Sequence, residues 1–240
     1  MTNGNQGGPD HWCVITRNTI GSPVAALRNG PFGSFGSFGS TGHSAKPPYG
    51  TGSLGIEVAD SSTSLAPPSE KVDFGNEVDF YVDPVLGLNQ VGFHVFQTGE
   101  NVTHGGRGTC RTSGSRSTRT SLRPPPPPTP RRCECRPSPV TDQWSPCLDA
   151  TATGTGTGTG TGKWFLTGNA GTMTGCNQTT LCTFPQLKTA LNDGGPAPTI
   201  YTAAVGKGRD KVWIGAVDGR RINRTIYDFE ADGVRTRRAN

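Results

Sequence analysis

Residues 210–230, DKVWIGAVDGRRINRTIYDFE, form the stretch that decides the fold. They divide into two β-type runs, 210–219 and 220–230, and a third such run, TIYTAAVGKG at 199–208, precedes them. Valine, isoleucine, threonine and aromatic residues at this density favour strands, and the Gly, Asp and Asn residues near the ends of the runs favour turns. The sequence therefore predicts an antiparallel meander in the C-terminal third.

The strand pattern recurs upstream. Residues 70–84 alternate, which predicts one core face and one wet face. The apolar residues at even positions are Val72, Phe74, Val78, Phe80 and Val82, and the acids at odd positions are Asp73, Glu77, Asp79 and Asp83. Residues 88–102 alternate in the manner of a strand in the middle of a sheet, with Val91, Phe93 and Val95 on one side and Gly92, His94 and Phe96 on the other. Further strands are predicted at 11–20, 52–59 and 163–168.

One segment, TFPQLKTALND, predicts a short helix near 184–192, because Leu187 and Leu191 share a helical face. No crossover helices separate the predicted strands, which disfavours a parallel α/β fold. The sequence therefore predicts an all-β protein, an antiparallel β-sandwich of jelly-roll type with one short helix and long loops.

The predicted sandwich is one domain in two parts, 11–104 and 140–234. An Arg/Pro-rich insert at 105–139 separates the two parts and is predicted to be disordered. The other segments predicted to lie outside the sandwich are a disordered N-terminus at 1–10 and a polar tail at 235–240. Two low-complexity runs, the Gly-Ser-Phe repeat at 30–42 and the Thr-Gly run at 151–162, are predicted to be loops.

The net charge of +5 is concentrated in one segment. Residues 105–140 carry eight Arg against one Glu, a net charge of +7, whereas the remainder has 15 Lys plus Arg against 17 acids, a net charge of −2. Segment 107–136 therefore predicts nonspecific nucleic-acid binding through its guanidinium groups. It has no aromatic residues to stack on bases, so a selected role in nucleic-acid binding is the weaker interpretation.

The sequence pattern predicts neither a membrane span nor a signal peptide. No run approaches the roughly 20 apolar residues of a membrane helix, so no membrane span is predicted. The N-terminus, MTNGNQGGPDHW, has neither the basic start nor the apolar stretch of a signal peptide. Taken literally, the sequence predicts a cytoplasmic protein.

Two of the cysteines have a spacing that suggests a structural role. Cys176 and Cys182 enclose a short polar loop of the kind that a disulfide closes, which would imply an oxidising compartment; two free thiols are the equally open alternative. The CEC motif at 133–135 is tighter than zinc-ligand spacing and has no matching His/Cys pair, so no metal site is predicted.

No residue is assigned a catalytic role, because the nucleophile-elbow, zinc-protease and phosphate-loop motifs are missing. The carboxylates of Asp218, Asp228 and Glu230, with Asp79 and Asp83, could supply a glycosidase pair, but the interpretation as solvent-facing strand and turn residues is favoured. The same oxygens could bind a structural calcium ion, although no D-x-D-x-D-G loop is present. No cofactor is therefore predicted.

A binding role has more support. Trp164 and Trp213 lie on predicted strands, with Trp12 and Trp144 near others, and a tryptophan exposed beside polar groups can stack on a sugar ring. Core packing of these tryptophans is the open alternative. The candidate ligand-binding residues are Trp164, Trp213, Asp218, Asn223, Asp228 and Glu230.

Four segments, GSLGIEV, VGFHVFQTGENV, VWIGAVDGRRIN and TIYDFEADGV, resemble a module of secreted proteins from high-GC bacteria. The resemblance covers about 12–104 and 140–235 and is most specific at 212–230. It implies a jelly-roll sandwich similar in layout to carbohydrate-binding and lectin-like domains, located outside the cell. Arg220 stands where such modules usually carry an apolar residue, which predicts an exposed strand edge.

The resemblance also implies a strand-rich stretch where the arginines lie. Residues 109–121 can be encoded so that reading from the third base gives Val-Pro-Asn-Ile-Gly-Phe-Glu-Ile-Asp-Pro-Asn-Leu, which alternates like a strand and ends in a turn. We therefore interpret segment 107–136 as a frame-shifted reading of a strand pair.

The functional hypothesis from sequence is a non-catalytic extracellular module that binds carbohydrate or another polymer of the cell envelope. A glycan-cleaving enzyme that uses the Asp/Glu residues is the first alternative. A nucleic-acid binder that uses segment 107–136 is the second.

Overall fold

The computed structural model describes residues 11–30, 45–58, 70–80, 83–98, 110–114, 131–135, 143–145, 147–152, 162–208 and 213–239. The strands in these ranges are β1 (Trp12–Val14), β2 (Val24–Asn29), β3 (Gly52–Val58), β4 (Val72–Asn76), β5 (Val91–Gln97), β6 (Cys110–Gly114), β7 (Arg131–Cys135), β8 (Leu148–Asp149), β9 (Lys163–Phe165), β10 (Ala203–Lys207), β11 (Trp213–Ile222), β12 (Thr225–Glu230) and β13 (Gly233–Arg238). Two helices, α1 (Gly168–Thr174) and α2 (Phe184–Leu191), follow β9. The predicted N-terminal disorder at 1–10, residues 31–42 of the Gly-Ser-Phe repeat and residues 153–161 of the Thr-Gly run lie outside the described residues.

The strands form two antiparallel sheets that pack against each other, which confirms the predicted all-β sandwich. Sheet 1 has the order β1-β4-β10-β6-β7-β9. Sheet 2 has the path β13-β12-β11-β3-β2, and its strand β11 also pairs with β5, which in turn pairs with β8. The first half of β11, Trp213–Val217, pairs with β3, and its last residues, Arg220–Ile222, pair with β12. Strands β3 and β12 therefore diverge from β11 at Asp218 and Gly219.

The core lies between the sheets and is rich in aromatic rings. Trp12 of β1 stacks on Phe74 of β4 at 6.3 Å between ring centroids, and its edge meets Phe229 of β12 at 5.5 Å. Contacts of this kind add about 0.5–1.5 kcal/mol each to the free energy gained from burial. Because the rings come from both sheets, they fasten the two layers together.

Helix α2 confirms the predicted helix near 184–192. Thr183 caps its first turn, and the capping box with Gln186 satisfies two otherwise unpaired backbone donors. The buried residues Phe184, Leu187 and Leu191 face the core. Helix α1 was not predicted, because its sequence GNAGTMT contains two glycines and no helical apolar face.

The predicted meander over 199–230 was wrong in its first member. Strand β10 lies in sheet 1 between β4 and β6, whereas β11, β12 and β13 form the meander in sheet 2. The predicted turn at Gly219 is instead an irregularity inside β11, where the register shifts and Gly219 adopts a φ of +61°. The chain turns at Asn223, whose left-handed φ of +53° suits asparagine.

Three further predictions were wrong. Residues 235–238 of the predicted tail belong to β13, because their backbone pairs with β12. Two pieces of the predicted disordered insert are strands, since the backbones of β6 and β7 pair with each other and join β10 to β9; the rest of the insert, at 105–109, 115–130 and 136–139, lies outside the described residues. Arg220 is 2% exposed and lines a small cavity with Trp164 and Ile222, so it does not mark an exposed edge.

Candidate functional site

The outer face of sheet 2, which is turned away from the core, carries several of the polar residues that the sequence predicts as candidate ligand-binding residues. Along β11 and β12, residues such as Val217 and Phe229 point into the core. The intervening Asp218 and Asp228 therefore point to the outer face, as does His94, which pairs with Asp218 across β5 and β11.

Two half-buried aromatic residues cover this face. The ring of Tyr49 packs at 5.6 Å from the His94 ring, and that of Trp144 packs at 5.6 Å from Phe96. His94 and Phe96 are two residues apart on β5, so these two contacts lie about 7 Å apart along the strand. We call Tyr49, His94, Phe96 and Trp144 the aromatic ledge.

Asp218 holds the Tyr49 loop to the sheet. Its side chain is fully buried, and its carboxylate accepts hydrogen bonds from the backbone N–H of Tyr49 and of Phe229, both at 3.1 Å. Burial raises the pKa of Asp218 to about 7; the backbone donors oppose this rise, and the charge of Asp228 adds to it. Asp218 therefore links the Tyr49 loop and β12 to β11 at the point where β3 and β12 diverge from that strand.

Glu230 fastens the next residues of the same loop. Its carboxylate accepts from the backbone N–H of Thr51 at 3.2 Å and from the Thr51 hydroxyl at 3.3 Å. Gly50 lies directly over it, and a Cβ at position 50 would come within 1.5 Å of Glu230 Oε1. The two buried carboxylates therefore fix the loop that presents Tyr49, and a Cβ at position 50 would have to displace the Glu230 side chain.

Asp228 has an ion-pair partner on the edge strand. Its Oδ2 accepts from Arg237 Nε of β13 at 2.7 Å, and the Arg237 side chain is 46% exposed while that of Asp228 is fully buried. Burial raises the pKa of Asp228, and the hydrogen bond and positive charge of Arg237 oppose the rise.

His94 is also used structurally. Its Nδ1 lies 2.9 Å from the backbone carbonyl oxygen of Ser145, and burial lowers its pKa. Ser145 in turn pairs with Val95 through its backbone and its hydroxyl, so the segment carrying Trp144 is attached along the edge of β5.

The structure separates the predicted ligand-binding residues into two groups. Asp218, Asp228 and Glu230 come together beneath the outer face, but all three are buried and not solvent-facing as predicted. Trp164 and Trp213 are 2% and 5% exposed, so their burial contradicts the predicted sugar-stacking role. Trp164 donates instead to the carbonyl of Ala150 at 2.8 Å and packs on Phe184.

Asn223 is remote from this group. Its side-chain oxygen accepts a hydrogen bond from the backbone N–H of Asn89 at 2.6 Å, and its amide donates to the carbonyl of Gly87 at 3.2 Å. These bonds attach the β11–β12 turn to the loop that precedes β5. The sequence search missed Tyr49. Its only signal is an aromatic residue between prolines and a glycine, in the segment KPPYG.

Cys176 and Cys182 form the predicted disulfide. The described ranges contain no group of three or more His, Cys, Asp or Glu side chains placed to hold a metal ion. Across the same ranges, no helix has the length and apolar character to cross a membrane.

The fold and the ledge define the class: an all-β, antiparallel sandwich whose outer sheet face carries half-buried aromatic rings above a buried carboxylate network. No family model, curated protein or solved structure matches the chain.

Proposed function

We propose that the protein is a non-catalytic extracellular module that binds carbohydrate on the aromatic ledge. The observation that carries the proposal is the pair of half-buried rings, Tyr49 and Trp144, packed on His94 and Phe96, which lie about 7 Å apart along β5. Flat apolar rings with a polar tip stack on the apolar faces of sugar rings, and ordered rings lose little entropy on binding.

The fixed position of the ledge supports a binding role. Tyr49 belongs to a loop held by Asp218 and Glu230, and Trp144 donates its indole N–H to the carbonyl of Ala45 at 3.3 Å. A preformed surface binds a rigid polymer with a smaller ordering cost. The Cys176–Cys182 disulfide supports the extracellular location, because such bonds persist in oxidising compartments.

The glycan-cleaving alternative has less support. A glycosidase needs two carboxyl groups that flank a substrate bond. Asp218 and Asp228 are fully buried, and each already serves a structural partner, so neither is accessible to a sugar in this structure.

The test is a glycan array probed with the full chain, followed by titration calorimetry on the polysaccharides retained. Tyr49→Ala and Trp144→Ala should each weaken binding about tenfold, from the loss of roughly 1–1.5 kcal/mol of ring contact. Tyr201→Ala is the matched control, because Tyr201 is a half-buried tyrosine that contacts Arg17 and lies outside the ledge. Retention of glycans that is unaffected by both ledge variants would refute the proposal.

A further inference from the structure

The surface beside the aromatic ledge is rich in arginine, whereas the chain outside residues 105–140 has a net negative charge. All residues outside 105–140, these arginines included, carry a net charge of −2. Within residues 221–238, however, the charged side chains that reach the surface are Arg221, Arg224, Arg235, Arg237, Arg238 and a single acid, Asp232. The carboxylates of Asp228 and Glu230 are buried beneath them. Asp232 Oδ2 accepts a hydrogen bond from Arg235 Nη2 at 2.8 Å, so five arginines against this one exposed acid leave this part of sheet 2 with an excess of positive charge.

Three of these arginines lie on the same face as the ledge. Arg221 pairs with Gly92 of β5, and its neighbour Ile222 packs in the core, so Arg221 points outward. Arg237 forms an ion pair with Asp228, which points outward. Arg235 precedes Arg237 by two residues on β13, so both arginines lie on this outer face.

Arg221 and Arg237 are close enough to Tyr49 for their charges to act on its phenol. Burial raises the pKa of Tyr49, and the positive charges of Arg221 and Arg237 oppose that rise. The aromatic ring and the two guanidinium groups thus border one surface. Guanidinium groups bind carboxylate, sulfate and phosphate oxygens through paired hydrogen bonds.

We propose that the ligand of the ledge is an anionic glycan, whose sugar ring stacks on Tyr49 while its acidic groups bind Arg221 and Arg235. This inference rests on the proposed carbohydrate-binding function and specifies the ligand class. The competing explanation is that arginines on the edge strand β13 only prevent it from pairing with other strands. That explanation requires no ligand and no particular face.

The experiment compares two polymers with one backbone: polygalacturonate and its fully methyl-esterified form. Affinity for the full chain is measured by titration calorimetry at low and high salt. The acidic polymer should bind at least tenfold more tightly, and the difference should shrink with added salt because exposed charges are screened. Arg221→Gln with Arg235→Gln should lower affinity for polygalacturonate by about tenfold and leave the ester unaffected.

Arg224→Gln with Arg238→Gln is the matched control. It removes the same charge, and Arg238 lies on β13 but on the opposite face from Arg235. Arg237 is left intact, because its loss would leave the buried Asp228 carboxylate without its ion pair. Circular dichroism of each variant confirms that it folds.

The outcomes separate the two proposals. Equal affinity for both polymers, lost in Tyr49→Ala, would retain the carbohydrate function and overturn the anionic class. An equal effect of the two arginine pairs would also overturn it, since only net charge would matter. Binding of polygalacturonate that disappears when the eight arginines of 105–140 are changed to serine, and that ignores Tyr49→Ala, would overturn both.

Discussion

Asp218 is a carboxyl group kept out of water by the Tyr49 loop. Its pKa of about 7 in the folded protein lies above its ordinary value of 3.8, so the folded state binds the proton more tightly than the unfolded chain does. Stability from this group is complete below about pH 4 and is lost as the pH rises through about 7. The full difference is at most about 4 kcal/mol.

This linkage predicts the pH dependence of unfolding. In urea titrations between pH 4 and 8, the free energy of unfolding of the wild type should fall as the pH rises, and Asp218→Asn should flatten much of that fall. Asp228, whose pKa burial also raises, adds to this fall, whereas His94, whose pKa burial lowers, opposes it, and the two together set the residual slope. Asp232→Asn, at an exposed carboxyl, is the control and should retain the wild-type slope. Identical slopes for wild type and Asp218→Asn would contradict the prediction.

Gly50 allows a second prediction at the level of one residue. Its φ of +54° costs a residue with a Cβ about 1–2 kcal/mol, and the Cβ would also overlap the Glu230 carboxylate. Gly50→Ala should therefore lower the free energy of unfolding by about 3 kcal/mol.

The control for Gly50 is Gly194→Ala. Gly194 has a φ of +80° but open space where a Cβ would stand, so only the backbone strain applies. Urea unfolding of the two variants should differ by about 1–2 kcal/mol, and the difference measures the clash with Glu230. Equal losses would show that the Glu230 side chain moves away freely.

The sequence predicted only part of the site, and particular residues show why. The alternation on β5 was predictable, and it placed His94 and Phe96 on one face. The burial of Asp218 was not, because it depends on a loop from residues 45–51 that packs over the face, and periodicity within a strand carries no information about such a cover. For the same reason the tryptophan pattern did not separate Trp164, in the core, from Trp144, on the ledge.

At the level of elements, the loop closed by the Cys176–Cys182 disulfide stabilises β9. The backbone of Trp164 exchanges two hydrogen bonds with Cys182, and Leu166 donates to Cys176, so both ends of the loop hold the strand. Closing so short a loop is worth about 2 kcal/mol through the entropy of the unfolded chain. Reduction should therefore loosen β9 and the neighbouring start of α2.

The measurement is urea unfolding with and without a reductant. The wild type should lose about 2 kcal/mol on reduction, and Cys176→Ala with Cys182→Ala should show that lower stability in both conditions. Cys147→Ser, at a half-buried cysteine outside this disulfide, serves as the control and should keep the response to reductant. A double variant that still responds to reductant would contradict the assignment of the effect to this bond.

Elements were predictable where local signals agreed. Helix α2 has a capping residue, a proline in its first turn and a buried apolar face, and the sequence placed it correctly. The strand predicted over 70–84 ends instead at Asn76, whose side chain accepts from the backbone N–H of Val78 and of Asp79 and starts a turn. Val78 is therefore 46% exposed, although the alternating pattern assigned it to the core.

Over the whole molecule, the partner of each strand was the least predictable feature. Strand β10 precedes β11 by a short connection, yet the two lie in different sheets. Sequence neighbours share a sheet in most folds, so the prediction followed the commoner arrangement. The choice between sheets depends on contacts far apart in the chain, and these contacts leave no local pattern.

The arginine-rich segment poses the remaining question about the whole molecule. Sheet 1 is continuous from β10 to β9 only through the backbones of β6 and β7, which lie within this segment. Its sequence has almost no apolar residues with which to bury surface. If the segment is a shifted reading of a strand pair, restoring the other frame should stabilise sheet 1.

The restored chain replaces residues 109–121 by Val-Pro-Asn-Ile-Gly-Phe-Glu-Ile-Asp-Pro-Asn-Leu. Its apolar side chains alternate, so we expect the free energy of unfolding to rise by about 2 kcal/mol or more, at roughly 0.8 kcal/mol per buried methylene. Hydrogen exchange should slow most in β10 and β9, the two neighbours of the strand pair. A chain with the same twelve residues in shuffled order is the control, because it has equal hydrophobicity without the alternation. Equal stability of the restored and shuffled chains would contradict the frame-shift hypothesis, whereas selective protection of β10 and β9 would locate the gain in the pairing itself.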